Sequence, residues 1–393
     1  VLFLDAGGRG SLPVKKYQQL AETYGLILAG SFNARNGPFE RSGKAAYAVL
    51  KDITSRYSVD PSAVILAGFS GGARVATQIG LEDPIIAGVV ACGAFPIIRG
   101  TEKNRKLLYS GVVGRGDLNY LEAIEAYTQL DAIKKEAYLT FFSGDHDWPP
   151  PDAFEMSVMW VLMRLEILSK NAFGTWSQMN WKGFQQSLDS AFSFEIDRQR
   201  QQVTRWLPDY QQKADSLENQ ASQSKVFLKR RASFSQAIQQ EKKWRQDFLQ
   251  NYQQQVAFGA PDSAFHSTVW SAAGKQLKEF SHSKDPSELW MGRRLQSFTQ
   301  VLLWEGFSNF MSYKQYRQAA AAGKMVSLLQ AESPFGSIMA ARAYARLNQR
   351  EETLRYLEQA IRRGYSRDQL KCESLFEPFL KEKRIVKLLE QIE

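Results

Sequence analysis

The segment Ala63-Val64-Ile65-Leu66-Ala67-Gly68-Phe69-Ser70-Gly71-Gly72-Ala73-Arg74-Val75-Ala76-Thr77-Gln78 decides how the first half of this chain is read. Five consecutive apolar residues, Ala63 to Ala67, describe a strand buried on both faces rather than one with a wet side. Ala73 to Gln78 then starts a helix. Between them lies Gly68-Phe69-Ser70-Gly71-Gly72, a GxSxG pattern. A strand that turns this sharply into a helix forces its serine into a strained backbone conformation with the hydroxyl exposed. Glycines two residues before and after are needed because side chains there would clash across the turn. The bare pattern also fits a glycine-rich turn with an incidental serine; the flanking strand and helix are what distinguish the two.

Outward from this segment, short apolar runs alternate with helical stretches from residue 1 onward. The runs are Val1–Leu4, Leu26–Ala29, Val64–Ala67, Ile86–Ala91, Leu107–Val113 and Tyr138–Phe142, each followed by glycine or polar residues. Such alternation predicts an α/β fold with a mainly parallel sheet. In these sheets, sites are assembled from loops at the carboxyl ends of the strands. After Asp152 the strand pattern stops, and Ala153–Leu168, interrupted by Glu155, Arg164 and Glu166, reads as a buried amphipathic helix. From Gly174 to Phe258 aromatic and apolar residues recur at helical spacing among Gln, Lys, Arg and Glu. Breaks are expected at Gly259–Asp262, Asp285-Pro286 and Ser333-Pro334. The tryptophans Trp270, Trp290 and Trp304 read as helix core. The expected organisation is therefore an α/β domain over 1–170, a helical region over 174–310 and further helices over 311–393.

The chain has three histidines, and only His146 lies in the α/β half, in Gly144-Asp145-His146-Asp147-Trp148-Pro149-Pro150 after the last strand. A serine nucleophile needs an imidazole to take its proton and hand it to the leaving group. His146 is the candidate base. A carboxylate must hold the other ring nitrogen, and Asp117, in Gly114-Arg115-Gly116-Asp117 after the penultimate strand, fits the chain order Ser, Asp, His. Asp145 and Asp147 compete, but neighbours of a histidine point away from its ring. Arg115-Gly116-Asp117 also spells a cell-adhesion tripeptide, an unpromising reading at a strand end. An oxyanion site needs two backbone N–H donors. Gly71 is the expected first, and Gly8 or Arg9, in the loop Asp5-Ala6-Gly7-Gly8-Arg9-Gly10, the expected second. Phe69, Asn33 and Trp148 are candidate walls of the substrate pocket.

On these residues, positions 1–170 resemble the α/β-hydrolase superfamily, in the style of its polyhydroxybutyrate-depolymerase, feruloyl-esterase and dienelactone-hydrolase branches. Val59-Asp60-Pro61-Ser62 leading into the strand and GxSxG turn, and the Trp148-Pro149 pair after the histidine, are especially similar. The resemblance implies attack by Ser70 on an ester carbonyl, an acyl-enzyme and its hydrolysis, with neither metal nor organic cofactor. Two departures stand out. The first two strands of such folds are absent, and Asp5-Ala6-Gly7-Gly8 stands where many members carry His-Gly. The short segment Phe95–Lys106 leaves no room for a helical lid, so an open site is expected unless helices after Gly174 cover it. Farther on, Ala341, Tyr344, Thr353, Leu357 and Ala360 fall at the packing positions of a tetratricopeptide repeat, with Asn348 in place of the usual turn glycine and Tyr365 in place of proline. A helical repeat region implies a protein partner, and a second reading follows: a catalytically silent hydrolase fold that serves as a binding protein.

Composition sets outer bounds. With 44% hydrophobic and 23% charged residues over 393 positions, the chain is globular. Its formal charge of +9 is scattered; the one dense cluster, Lys225, Lys229, Arg230 and Arg231, reads as a solvated helix face, so no nucleic-acid partner is expected. Two distant cysteines, Cys92 and Cys372, exclude a disulfide framework and argue against a thiolate metal site. No apolar run is long enough for a transmembrane helix. The sequence starts Val1-Leu2-Phe3-Leu4, without methionine and already strand-like, so a preceding segment is expected, any signal peptide would lie there, and an exported or periplasmic location stays open.

Overall fold

A computed structural model of the chain describes residues 1–104, 106–190, 192–257 and 265–392. It divides into two compact units, Val1–Gln236 and Ala237–Glu393. The first is built on six strands: β1 (Leu2–Asp5), β2 (Ala29–Ser31), β3 (Val64–Phe69), β4 (Ile86–Cys92), β5 (Leu108–Gly114) and β6 (Ala137–Phe142). They form one sheet in the order β2-β1-β3-β4-β5-β6, and every neighbouring pair is parallel. All six residues of β3 are buried, as expected of a central parallel strand.

Side chains alternate between two covered faces. Phe3, Ile65, Ala67, Val90, Cys92, Val112 and Tyr138 point into one core with α1 (Ser11–Lys16), α2 (Gln18–Tyr24) and α6 (Pro151–Arg164). Tyr17, which joins α1 to α2, stacks on Phe154 of α6 at 4.0 Å and closes that layer. The opposite face is covered by α3 (Phe39–Arg56), α4 (Gly71–Glu82) and α5 (Tyr120–Ala132), with Tyr127 of α5 against Tyr109 of β5. Helix α6 matches the amphipathic segment expected from Ala153 onward: Glu155 accepts from the Tyr24 hydroxyl and Arg164 pairs with Glu136, while the apolar residues between them are buried.

The second strand lies later than expected. Leu26 and Leu28 pack against the core without entering the sheet, and pairing begins where Ala29 comes opposite Leu2. Apolar burial marked the segment; register with β1 decided which residues bond.

The first unit also runs well past residue 170. Helices α7 (Lys170–Ser190), α8 (Ser193–Trp206) and α9 (Gln211–Ser222) contribute Trp176, Phe184, Val203, Leu207 and Ala214 to the same apolar cluster as the sheet. Phe192 falls between helices rather than on one, and the unit boundary lies within α10 (Lys225–Tyr252). Part of the helical region thus shares the apolar core on one face of the sheet, while Ile196 and Phe227 form a smaller cluster of their own.

The second unit continues with α11 (Ser267–Ser281), α12 (Pro286–Ser312), α13 (Tyr316–Leu329), α14 (Phe335–Arg346), α15 (Arg350–Arg362), α16 (Arg367–Lys371) and α17 (Lys383–Ile392). The expected breaks at Asp285-Pro286 and Ser333-Pro334 fall where α12 and α14 begin; that at Gly259–Asp262 lies outside the described residues. Asp285 caps α12 by accepting from the Ser287 amide. Trp270 is buried, but Trp304 is 55% exposed, because Leu303 and Phe307 take the inward face of α12 and residue 304 falls beside it. Among the described residues no helix is long and apolar enough to cross a membrane.

Candidate active site

In the sheet order, β2 lies on one side of β1 and β3 on the other. The chain thus reverses direction across the sheet between β1 and β3, and it is at the carboxyl ends of such a pair that ligand crevices form in open parallel sheets. Ser70 follows β3 directly at this point, as the residue preceding α4. Its backbone has φ 55° and ψ −121°, a conformation that side chains resist, at a cost of about 1–3 kcal/mol. Gly68 and Gly72 make the turn possible: a methyl group on Gly68 would lie 2.3 Å from the Gly72 carbonyl oxygen, and one on Gly72 would lie 1.9 Å from that of Leu4.

Two other strand ends deliver the partners. The loop after β6 brings His146 Nε2 to 3.0 Å from Ser70 Oγ, and the loop after β5 brings Asp117 Oδ1 to 2.9 Å from His146 Nδ1. Three segments separated by tens of residues converge on one line of hydrogen bonds. His146 keeps 13% of its side chain exposed, so the serine end of the line is accessible, whereas Asp117 is 1% exposed. The Asn119 amide also donates to Asp117 Oδ1 at 2.7 Å, which fixes the carboxylate against rotation, while Oδ2 is buried with no partner. A buried carboxylate oxygen left unpaired is costly for folding and is the kind of feature that marks a working site. The arrangement lets the imidazole take the serine proton at Nε2 while the carboxylate stabilises the positive ring that results.

The competing carboxylates are used elsewhere. Asp147 accepts from the Trp148 amide, and neither it nor Asp145 bonds to the His146 ring. The Arg115-Gly116-Asp117 tripeptide turns inward at both ends, because Arg115 makes a bidentate pair with Glu195 of α8 at 2.7–3.1 Å. The Tyr120 hydroxyl donates to the same glutamate. This brace, invisible in the sequence, holds the loop that carries Asp117.

The pocket and donor residues are less uniform. Phe69 lies 4.7 Å from the His146 ring and 5.6 Å from the Trp148 ring. Trp148 is only 2% exposed, and its indole N–H donates to Asp5 Oδ2 at 2.7 Å, so it acts as a strut beneath the site rather than a pocket wall. Asn33 is exposed on the loop after β2. Gly71 heads α4, where first-turn amides have no acceptor within the helix. Gly8 and Arg9 do not present free amides: Gly8 N–H donates to the Asp5 carbonyl at 2.9 Å and Arg9 N–H to Asp5 Oδ1 at 3.2 Å. Burial alone would push the Asp5 carboxyl up. The Arg9 guanidinium, the Trp148 indole and the Arg9 and Gly7 amides outweigh burial and hold it below the usual carboxylate range.

A cleft of about 380 Å³ lies among Arg74, Phe95, Pro96, Ile97 and Glu122. It is bordered by α4 one turn beyond Ser70, and Arg74 pairs with Glu122 at 2.7 Å. Among the described residues no group of three or more His, Cys, Asp or Glu side chains is placed to hold a metal ion. Cys92 is buried in the sheet, where burial and nearby Asp117 push its thiol well above the ordinary range. No protein-family model, curated protein or solved structure matches this chain.

Asp117→Asn keeps the size and shape of the side chain but removes the charge that stabilises a protonated ring. Where Ser70 and His146 carry out ester hydrolysis, the substitution is expected to lower kcat about 10³–10⁴-fold with little change in KM, measured on a short-chain ester. A decrease of less than tenfold would mean that Asp117 does not hold the base.

Proposed function

We propose that the chain is a serine hydrolase of the α/β-hydrolase type that cleaves carboxylic esters through an acyl-enzyme. The observation that carries this reading is the Ser70–His146–Asp117 line of hydrogen bonds ending on a serine held at φ 55°. Incidental serines at glycine turns have no reason to meet an oriented imidazole.

In the proposed reaction Ser70 Oγ bonds to the ester carbonyl carbon as its proton passes to His146 Nε2, and the carbonyl π pair moves onto oxygen. The C–O bond to the leaving group then breaks, and the His146 proton goes to the departing alkoxide. Water repeats the sequence on the acyl-enzyme, giving up its proton to His146 as its oxygen bonds to carbon. The expelled Ser70 oxygen recovers that proton. No cofactor takes part in these steps. The apolar side chains of Pro96 and Ile97, bordering the cleft one turn from Ser70, suit a small acyl or alcohol group.

The helical region is read as tetratricopeptide-like and as the platform for a protein partner. Support comes from the burial of Ala341, Tyr344, Thr353, Leu357 and Ala360 at the expected packing positions, and from Asn348 at φ 58° between α14 and α15. One observation favours the alternative of a silent binding protein: the engagement of the Gly8 and Arg9 amides with Asp5.

Pre-steady-state hydrolysis of p-nitrophenyl acetate separates the two. An acyl-enzyme mechanism is expected to release nitrophenolate in a burst of about one equivalent per protein before a slower steady rate. If no nitrophenolate appears above the uncatalysed background, the binding reading stands instead.

A further inference from the structure

An oxyanion needs preorganised donors, and a single one leaves much of the developing charge unmet. Gly71 supplies one amide. The loop after β1, where a second would be sought, is turned inward from Gly7 to Arg9. Its three amides donate to Asp5: Gly7 to Oδ1 at 2.9 Å, Gly8 to the carbonyl at 2.9 Å and Arg9 to Oδ1 at 3.2 Å. Asp5 is fully buried, and its carboxylate is further held by the Arg9 guanidinium and the Trp148 indole. Freeing the Gly7 or Arg9 amide would strip a donor from a buried charge, and freeing that of Gly8 would take one from the Asp5 backbone carbonyl, each at a cost in stability.

A different donor stands beside Gly71. The Asn36 amide donates to the Ala6 carbonyl at 2.8 Å, which ties the loop after β2 across the loop after β1. The Asn36 carboxamide then lies directly on Gly71: a methyl group placed on the Gly71 α-carbon would be 1.7 Å from Asn36 Oδ1 and 3.3 Å from Nδ2. This contact is possible only because residue 71 has no side chain. Asn36 is exposed, and its carboxamide has no hydrogen-bond partner among the described residues. A half-turn about its last torsion exchanges Oδ1 for Nδ2 without changing its shape, and brings an N–H to the side of the Gly71 α-carbon.

We infer that Asn36 Nδ2 is the second donor to the oxyanion formed when Ser70 attacks, replacing the loop amides that Asp5 occupies. This rests on the reading of Ser70 as nucleophile. It makes Asn36 a catalytic residue, one that meets the reacting oxygen. The backbone bond to Ala6 fixes the main chain from which the carboxamide extends, and its side-chain torsions settle when substrate binds. A donor of this kind acts on the transition state and not on the bound ester, which fixes the kinetic signature to look for.

The test compares wild type, Asn36→Ala and Asn36→Asp on p-nitrophenyl butyrate, with thermal unfolding of each. Asn36→Ala is expected to lower kcat about 10²-fold while KM stays within about twofold. Asn36→Asp, which sets a negative charge where negative charge develops, is expected to fall further. Because the side chain is exposed and unpartnered, both variants should unfold at the wild-type temperature. A kcat for Asn36→Ala within about threefold of wild type overturns the inference while leaving Ser70 as nucleophile. So does a rise in KM at unchanged kcat, which would make Asn36 a contact to bound substrate only. A wild-type protein that does not hydrolyse the ester, or one that keeps this activity in Ser70→Ala, overturns both.

Discussion

His146→Ala is expected to lower kcat for ester hydrolysis by on the order of 10⁶, to the level left by binding and oxyanion contacts alone. The size of the effect follows from the geometry. Ser70 Oγ has His146 Nε2 at 3.0 Å as the partner able to remove its proton. Asp145 and Asp147, the nearest carboxylates in sequence, do not bond to the ring, and Asp147 is committed to the Trp148 amide. Without the imidazole the hydroxyl stays protonated at neutral pH, and the leaving alkoxide has no acid to protonate it. The same substitution takes a donor from buried Asp117, whose Oδ1 would keep only the Asn119 amide. A loss of stability of about 1–3 kcal/mol is therefore expected alongside the kinetic defect, read by urea unfolding. A protein in which His146→Ala reduces kcat less than about 100-fold does not use this histidine as its base.

Ser70→Ala and Ser70→Gly should be equally inactive, with kcat lowered on the order of 10⁶, yet they should differ in stability. Alanine at φ 55° inherits the strained backbone of the turn, so Ser70→Ala should unfold close to wild type. Glycine adopts that conformation freely. Its gain from relieved strain exceeds the entropy it adds to the unfolded chain, leaving Ser70→Gly more stable by about 1 kcal/mol. Urea unfolding of the two variants side by side measures the strain at the nucleophile. Equal stability would mean that the strain relieved only matches the entropy glycine adds to the unfolded chain, about 1 kcal/mol or less.

How far these residues could be found without a structure depends on what each one interacts with. Ser70, Asp117 and His146 were legible because a parallel sheet collects its strand ends on one edge, and each residue follows a strand visible as an apolar run. The β2 boundary was not legible: Leu26 and Leu28 have the composition of a strand, but bonding begins only where Ala29 comes into register with Leu2. The extent of the first unit was hidden as well, since Trp176 and Phe184 look like any helical stripe until their partners in the sheet are known. Asp5 was passed over because its role depends on Trp148, far away in sequence, and on the direction of three loop amides. Its place at the end of the first strand, where a polar residue interrupts Val1–Leu4, was the one available signal. Asn36 gave none. Its contact with Gly71 exists only once the loops after β1 and β2 have been tied together.

That division bears on the choice between an enzyme and a silent binder. The legible residues make up the proposed proton-transfer line, and the illegible ones bear on the proposed oxyanion contacts. Asp5 engages the amides of the loop after β1, and Asn36 is the replacement donor in the proposed reaction.

The nucleophilic role of Ser70 is tested most directly by mass spectrometry of the intact chain after incubation with a fluorophosphonate. A single phosphonyl adduct should form, with fluoride as leaving group, and peptide mapping should place it on Ser70. The adduct should be missing from Ser70→Ala and form far more slowly in His146→Ala. A folded wild-type chain that takes up no adduct, or takes it up at a residue other than Ser70, would contradict the assignment of Ser70 as nucleophile.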